Sequence, residues 1–579
     1  DVRVEEVEEL ADERDRLRGR RARQVVGGAR GRVARVSSPW EPAGPSATPG
    51  SWLCATGVVH GPAGWAATPA GALPDLDGQF ALVAGDDAGD QVLVANDPLG
   101  MHALYVARTS SRLLVSTSAM VLAAHLRCPA SAVGLASFLS CGYHFGTRTH
   151  WDAVERLDPG TCLTVGADAV RREQYWRPEV DARVAGMSLD RAADHALEVF
   201  EAACKERLAE QPHCLDLTGG FDSRLLALVA ERAGVSFCTN TRSASRPADR
   251  EIARGLAASR GWEWHDLSLP ADWPERLPGV LPEALAWGDG QLEVLQLSRV
   301  LHAHRALGEH RRSLLCSAGG EHLERNWESE LLNAGRSNRF DVDRWLALIA
   351  FRRGDGSVLT EPCRNAVHDD LRRRALTWVA PWSDELNVVQ LDVLQAYKST
   401  GHGGAYRGAD GGHLETRLPY YWKPVMTAGL STSYRHRNAH RLHREMIARL
   451  DPAAAALRTT HGGSARPLRS HPLGALPYQA VVGRKVVNKL SAQLLGRALF
   501  PSDPPFPWEP KAHEVVLQHL APDGVLDLGA MRIAPLLQRD GVERLLQHTR
   551  APEPGVSAAL GRLVTAELAL RATDTALEG

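Results

Sequence analysis

The segment CLDLTGGFDSRLLALVAERAG, residues 214–234, limits the possible folds more than any other stretch of the chain. A short apolar run enters the turn Thr218-Gly219-Gly220-Phe221-Asp222-Ser223-Arg224, and a leucine- and alanine-rich stretch at helical spacing leaves it. A strand that ends in a glycine turn at a helix N-terminus makes an anion site, because unpaired N–H groups and the helix dipole both point at the ligand. Gly219 and Gly220 let the backbone approach phosphate oxygens with no Cβ in the way. The hydroxyls of Thr218 and Ser223 add donors. Asp222 would repel a bare phosphate, so its presence implies a Mg²⁺ ion between it and the ligand. The turn is not a Walker A motif, which needs a lysine after the second glycine.

Around this unit the texture changes along the chain. With 579 residues, more than one domain is expected. Residues 1–30, which begin DVRVEEVEELADERDRLRGRRARQ, read as a charged helical extension. Residues 31–185 carry short β-like runs such as GQFALVAG, QVLVAND and RLLVSTS, separated by turn residues, as in a mostly antiparallel sheet. From 186 to 579, short apolar runs (HCLDL, VSFCTNT, RRSLLCS) alternate with amphipathic stretches, which argues for a doubly wound parallel sheet with a helical C-terminal part. The fold class expected is therefore α/β.

The turn resembles the SGGxDS pyrophosphate loop of the asparagine synthetase-like ATP pyrophosphatases. Three further stretches carry the same resemblance. Residues 76–123 are similar to the family's N-terminal domain, with Asn96-Asp97-Pro98-Leu99-Gly100 and Leu104-Tyr105 at matching places. CSAGGEHL (316–323) stands where the family has GxGGDEL, with Glu321 in place of the Mg²⁺-binding Asp and His322 in place of the next Glu. YRGADGGHLETRLPYY (406–421) matches through Arg407, Glu415, Arg417 and Pro419. The resemblance implies an Ntn-hydrolase-like α+β sandwich followed by a synthetase domain of the adenine nucleotide alpha hydrolase-like kind. It implies ATP and Mg²⁺, with Asp222 and Glu321 on the metal. Leu217, Thr218, Gly219, Gly220, Asp222, Ser223, Arg224, Thr239, Thr241, Ser317, Gly319 and Gly320 are the implied contacts to ATP and pyrophosphate. Arg224 replaces the loop's last serine; a further pyrophosphate contact and a salt bridge within the domain are both open to it. Such enzymes activate a carboxylate as its acyl-adenylate, which an amine then captures.

The sequence also departs from the family. Glutamine-using members start with Cys-Gly-Ile; here no cysteine precedes Cys54, which lies inside SWLCATG and has no free α-amine to activate it. Residues are expected to precede Asp1; unless a processed cysteine start is among them, a glutaminase-inactive domain is expected. That state resembles the β-lactam synthetases and the lasso peptide macrolactam synthetases, whose amine comes from the substrate. The expected substrate is a small molecule or peptide bearing a carboxylate and an amine, with a leader-binding protein and a peptidase as partners. Where the family has an R-x-K run, Arg458 fits but Thr460 stands for the lysine. His461, Arg466, Lys485 or Lys489 could supply the missing charge, and Glu321, Arg458, His461 and Lys485 are the catalytic candidates. The tyrosine that β-lactam synthetases carry before the Mg²⁺-binding Asp is replaced by Ala318.

His436, His440 and His443 recur at helical spacing, which can bind zinc. Arg435, Arg437, Arg441 and Arg444 crowd the same stretch and oppose a second cation, so a solvated basic face, or contact with an anionic substrate or phosphate, is expected. A net charge of −2 offers no basic excess for nucleic acid. No apolar run approaches the ~20 residues that span a bilayer. Nine scattered cysteines without a CxxC pair fit a reduced, cytoplasmic protein.

Overall fold

A computed structural model of the chain describes residues 24–28, 31–35, 51–86, 91–110, 112–166, 169–209, 212–242, 247–308, 313–324, 339–349, 358–401, 414–495, 499–500, 510–547 and 554–577. Strands β1 (Gln24–Gly28) and β2 (Gly31–Arg35) pair as an antiparallel hairpin. The helical extension expected over 1–30 is therefore corrected from Gln24 onward. Val25 and Val26 favour extended backbone, and Gly27, Gly28 and Gly31 suit a tight reversal. Residues 1–23 lie outside the described residues.

The N-terminal region is an antiparallel sandwich. Strands β3 (Ser51–His60), β4 (Asp77–Asp86), β5 (Val92–Asn96), β9 (Thr161–Val165) and β10 (Val170–Gln174) form a sheet in the order β10-β9-β5-β4-β3. Strands β6 (Tyr105–Arg108), β7 (Leu113–Ser116) and β8 (Val154–Arg156) form a second sheet in the order β7-β6-β8. Period-2 alternation builds the layers. In β4, Ala81 faces Val94, Leu104 and Val106 between the sheets, while Phe80, Leu82 and Ala84 join Leu53 and Leu76 on the outer face. In β6, Tyr105 and Ala107 point away from the first sheet and onto helices α1 (Ala119–Leu126) and α2 (Ala132–Cys141).

The second half is a parallel sheet. β11 (His213–Asp216), β12 (Phe237–Arg242), β13 (Trp264–Leu267), β14 (Ser313–Leu315) and β15 (Glu415–Arg417) lie in the order β13-β12-β11-β14-β15, all parallel. The chain winds one way from β11 through β13 and then restarts on the other side with β14. The strand order thus reverses between β11 and β14, and in open α/β sheets ligands bind outside the strand C-termini at such a switch point. Helix α3 (Asp222–Arg232) links β11 to β12, and α4 (Pro247–Arg260) links β12 to β13. Both expected classes of sheet are present, so the α/β reading holds.

The apolar packing crosses the boundary expected at residue 185. One core joins Tyr105, Leu122, Leu135 and Phe138 to Leu297, Leu371 and Leu394, and to Leu560 and Leu563 of the helix Pro554–Thr573. A second core, with Leu217, Phe221, Leu225, Val229, Met446 and Ile447, lies under the glycine turn.

Candidate active site

The turn after β11 is held from within. The Leu217 N–H donates to the Asn240 carbonyl at 2.8 Å, which extends the strand by one residue. The Thr218 N–H donates to Ser223 Oγ at 3.0 Å, the two hydroxyls sit 3.0 Å apart, and the Gly220 N–H donates to Thr218 Oγ1 at 3.2 Å. The Gly219 N–H donates to a carboxylate, Asp249 Oδ1, at 3.1 Å. The turn thus already presents an amide to an anionic oxygen. Phe221, at the N-cap of α3, supplies no side-chain cap, so the positive end of this 11-residue helix remains open to an anion.

A second glycine turn, after β14, meets the first. A Cβ on Gly320 would fall inside the Asp222 carboxylate, so only glycine permits this approach. Gly319 is left-handed (φ 97°), and its N–H donates to Glu321 Oε2 at 3.1 Å. Ser317 is half-buried at the start of this turn. Tyr420 Oη donates to the Asp222 carbonyl at 2.8 Å.

The segment 454–461 forms a third wall, and Arg224 holds it. That side chain is fully buried and donates to the carbonyls of Ala454 (3.0 Å), Leu457 (3.1 Å) and Arg458 (2.7 Å). In sequence a pyrophosphate contact and a salt bridge are both open to Arg224; in the structure its two terminal nitrogens donate instead to the backbone carbonyls of this wall. Thr460 then docks on the turn, its N–H donating to the Gly219 carbonyl at 2.9 Å. His461 Nε2 comes 3.6 Å from where a Gly220 Cβ would stand. Arg458 is exposed, and its carbonyl is what the site uses.

Two expected nucleotide contacts are corrected. Thr239 is fully buried and its hydroxyl donates to the Glu263 carbonyl at 2.8 Å. The Thr241 hydroxyl donates to the Leu217 carbonyl at 2.9 Å and accepts from Trp264 Nε1 at 3.0 Å. Both serve the sheet rather than a cleft. Lys485 and Lys489 fall in the helix Ala475–Leu495, but their side chains, like Arg407, lie outside the described residues.

The histidines correct a third expectation. Helices α5 (Tyr434–Arg437) and α6 (Arg441–Leu450) are separated by Ala439 and His440, both left-handed (φ 54° and 56°). This break ends the common helical face. His436 turns away to the Met187 carbonyl at 3.0 Å. His440 and His443 turn inward and are 5% and 0% exposed, so they are not a solvated basic face. The His440 ring stacks on Phe221 at 4.2 Å and pairs with Glu324. His443 Nε2 lies 2.9 Å from Asp222 Oδ1. Asp222 is 32% exposed. Burial would raise its pKa, but contact with His443 and the charges of His440 and His461 outweigh that and hold it below the ordinary value. Glu324 does not stand out as a site residue in the sequence; its only signal is its place one turn after Glu321.

With this geometry in hand, the similarities of the chain become informative. Residues 64–176 match the model of the glutamine amidotransferase domain. Over 160 residues, 27% of this chain, it is 29% identical to asparagine synthetase [glutamine-hydrolyzing] 1 of Saccharomyces cerevisiae, covering 23% of that protein. Over these stretches the chain is similar to asparagine synthetases. It is also 23% identical, over 159 residues, to asparagine synthetase [glutamine-hydrolyzing] 3 of Bacillus subtilis, 27% of this chain and 26% of that protein. It thus spans about a quarter of the length of the curated relatives it matches. A solved glutamine phosphoribosylpyrophosphate amidotransferase from B. subtilis aligns over 42% of the chain and 49% of its own, at 10% identity and a TM-score of 0.13, too low to carry any argument.

Proposed function

We propose that this protein is an ATP-dependent, AMP-forming amide ligase, with the turn Thr218–Ser223 as its pyrophosphate cradle. One observation carries the reading. No described residue requires glycine at position 220: a Cβ there would meet only Thr218 Oγ1 at 3.4 Å and His461 Nε2 at 3.6 Å. The space it would fill lies at the open N-terminus of α3, where an anion gains from the helix dipole. The switch point of a parallel sheet is where such a ligand belongs.

Magnesium fits this setting. About a third of the Asp222 side chain is exposed, and Glu321 follows the glycine that touches it. Two carboxylates beside a phosphate site are what this small, oxygen-seeking cation takes, and it would neutralise phosphate charge there. The chain's own groups do the rest. The first turn of α3 and the hydroxyls of Thr218 and Ser223 hold the departing pyrophosphate. His461, beside Gly220, supplies the cationic group at the place where Thr460 offers none. The substrate carboxylate is adenylated, and an amine then captures the acyl group.

The finer reading is ring closure within one substrate, as in macrolactam formation on a peptide in the cytoplasm, with a leader-binding protein and a peptidase alongside. Cys54 sits in mid-β3 opposite Val83 and is not itself a terminal nucleophile. Well-oriented intramolecular capture reaches effective molarities of roughly 10⁵–10⁸ M, so a substrate amine held beside the adenylate needs no separate ammonia. No described helix is long and apolar enough to cross a membrane.

The test is ATP binding with Mg²⁺, read by hydrogen exchange. Protection of the amides of 218–224 is expected; binding that leaves them unprotected, or no binding, overturns the proposal. With turnover, AMP and pyrophosphate support it and ADP and phosphate refute it. A product lighter than its substrate by one water separates ring closure from the joining of two molecules.

A further inference from the structure

The histidine wall holds more nitrogen donors than a magnesium–nucleotide site uses. Ligand atoms of Glu324, His440 and His443 all lie within 4.8 Å of one another. Tetrahedral zinc, with bonds of about 2.0–2.2 Å, sets its ligand atoms roughly 3.4 Å apart, so small side-chain rotations close the set. His443 is fully buried; its Nε2 lies 2.9 Å from Asp222 Oδ1, while its Nδ1 has no hydrogen-bond partner among the described residues. A buried imidazole in that state carries a desolvation cost that a metal bond removes.

The backbone is bent to make this cluster. Ala439 and His440 both adopt left-handed conformations that cost a residue with a Cβ about 1–2 kcal/mol. Such strain is retained where the surroundings over-determine it, and sites are where it collects. Its effect here is to swing His440 onto Phe221 and Glu324 while His443, three residues on, faces Asp222. Two of the four arginines that argue against a cation in sequence are engaged elsewhere. Arg437 is paired with Asp392, and Arg444 donates to the carbonyls of Ala439, Ser464 and Arg466 while lying over the Phe221 ring. Glu324 and Asp222 bring the negative charge that offsets a dication.

We infer that Glu324, His440 and His443 form a binding site for a zinc-type divalent cation, separate from the magnesium carboxylates and adjoining them at Asp222. Two imidazoles and one carboxylate suit zinc and its neighbours in the transition series rather than magnesium, which takes oxygen ligands. Three protein ligands leave a fourth position for an oxygen donor, the open form of such sites. Asp222 Oδ1, 2.9 Å from His443 Nε2, stands next to the set.

The test needs no nucleotide, so this inference and the ligase reading can fail independently. The chain is stripped with a chelator and titrated with Zn²⁺ alone and Co²⁺ alone. One equivalent of Zn²⁺ is expected to bind, not displaced by excess Mg²⁺, and Co²⁺ should give the intense visible absorption of four-coordination. His443→Ala and Glu324→Gln should each weaken Zn²⁺ binding by more than about 100-fold, beyond the 10–100-fold typical of outer-shell partners. His436→Ala, on the same stretch but turned to Met187, should bind as the wild type does. No stoichiometric zinc on the wild type, displacement by Mg²⁺, a weak octahedral cobalt spectrum, or unchanged binding in both ligand variants would each overturn the site. The wild-type titrations decide the matter even if a variant fails to fold.

Discussion

Two turns in this molecule place an aspartate just beyond a strand, and they use it in opposite ways. Asp97, after β5, is fully buried and closed on all sides. Its Oδ1 accepts the N–H groups of Leu99 (3.1 Å) and Met101 (2.9 Å), and its Oδ2 those of His102 (2.7 Å) and Phe80 (3.3 Å). Asp222, after β11, keeps a third of its side chain exposed, with histidines on its other side. A carboxylate whose acceptors are filled by its own backbone holds a loop together. One left partly exposed at the mouth of a helix is available to something outside the chain.

The strongest way to break this contrast is to remove each carboxylate. Asp222→Asn should slow pyrophosphate release from ATP by about 10²–10³-fold, the scale of losing one preorganised electrostatic contact. It should cost less than about 1.5 kcal/mol of stability, the usual net worth of one hydrogen bond, because the amide keeps the shape of the carboxylate. Asp97→Ala should do the reverse. Four buried donors lose their acceptor, and at about 1–3 kcal/mol for each group left unsatisfied the loss should exceed ~3 kcal/mol. Denaturant midpoints and ATP turnover for the two variants check the pair; Asp97→Ala with wild-type stability would erase the distinction.

Proton linkage sharpens it further. Burial pushes the Asp97 carboxyl up to about 7 against the pull of its four N–H donors. Unfolded aspartate titrates near 3.9, so the folded chain binds the extra proton between about pH 4 and 7. Stability from Asp97 is therefore full below about pH 4 and is lost as pH rises through 7. Asp222 is held below its ordinary value, so its contribution is present above about pH 4 and is lost as pH falls through the folded value. Subtracting the stability of Asp97→Asn from that of the wild type across pH 4–8 should give a curve falling with pH by about 1–3 kcal/mol. The same subtraction with Asp222→Asn should stay flat across that range and rise with pH only below about pH 4. Slopes of one sign for both would show that the two carboxylates are alike.

What was legible in the sequence divides in the same way between local and distant causes. The sandwich strands and the parallel sheet were readable because period-2 alternation and strand–helix alternation are local patterns. The glycine turns were readable because backbone approach demands glycine. The wall opposite was not. Ala439 and His440 are left-handed without being glycine or asparagine, so no residue type announces the break that turns His440 and His443 inward. Arg224 lies over two hundred residues from the carbonyls it serves, and Thr239 and Thr241 spend their hydroxyls on backbone that only the folded sheet brings near. The charged start of the chain masked a valine–glycine hairpin at 24–35.

The smallest effects come from the glycines of the two turns, and they differ in kind. Gly100, in the Asp97 turn, is left-handed (φ 59°), so Gly100→Ala should cost about 1 kcal/mol through the backbone itself. At Gly219 no left-handed conformation is involved; a Cβ would press on Thr460 Cγ2 at 2.6 Å and on Asp249 Oδ1 at 3.2 Å. Gly219→Ala should therefore cost about 1–3 kcal/mol by overpacking against the third wall. That cost can be relieved from the other side. Thr460→Ala removes the methyl group, so the double variant should recover most of the loss, a coupling that a double-mutant cycle reads directly. At Gly100 the new Cβ would stand 3.1 Å from Asn96 Nδ2, but most of the cost lies in φ, so Asn96→Ala should recover little of it. Equal rescue at both positions, or at neither, would mean that the wall carrying Thr460 and His461 does not press on the glycine turn as described.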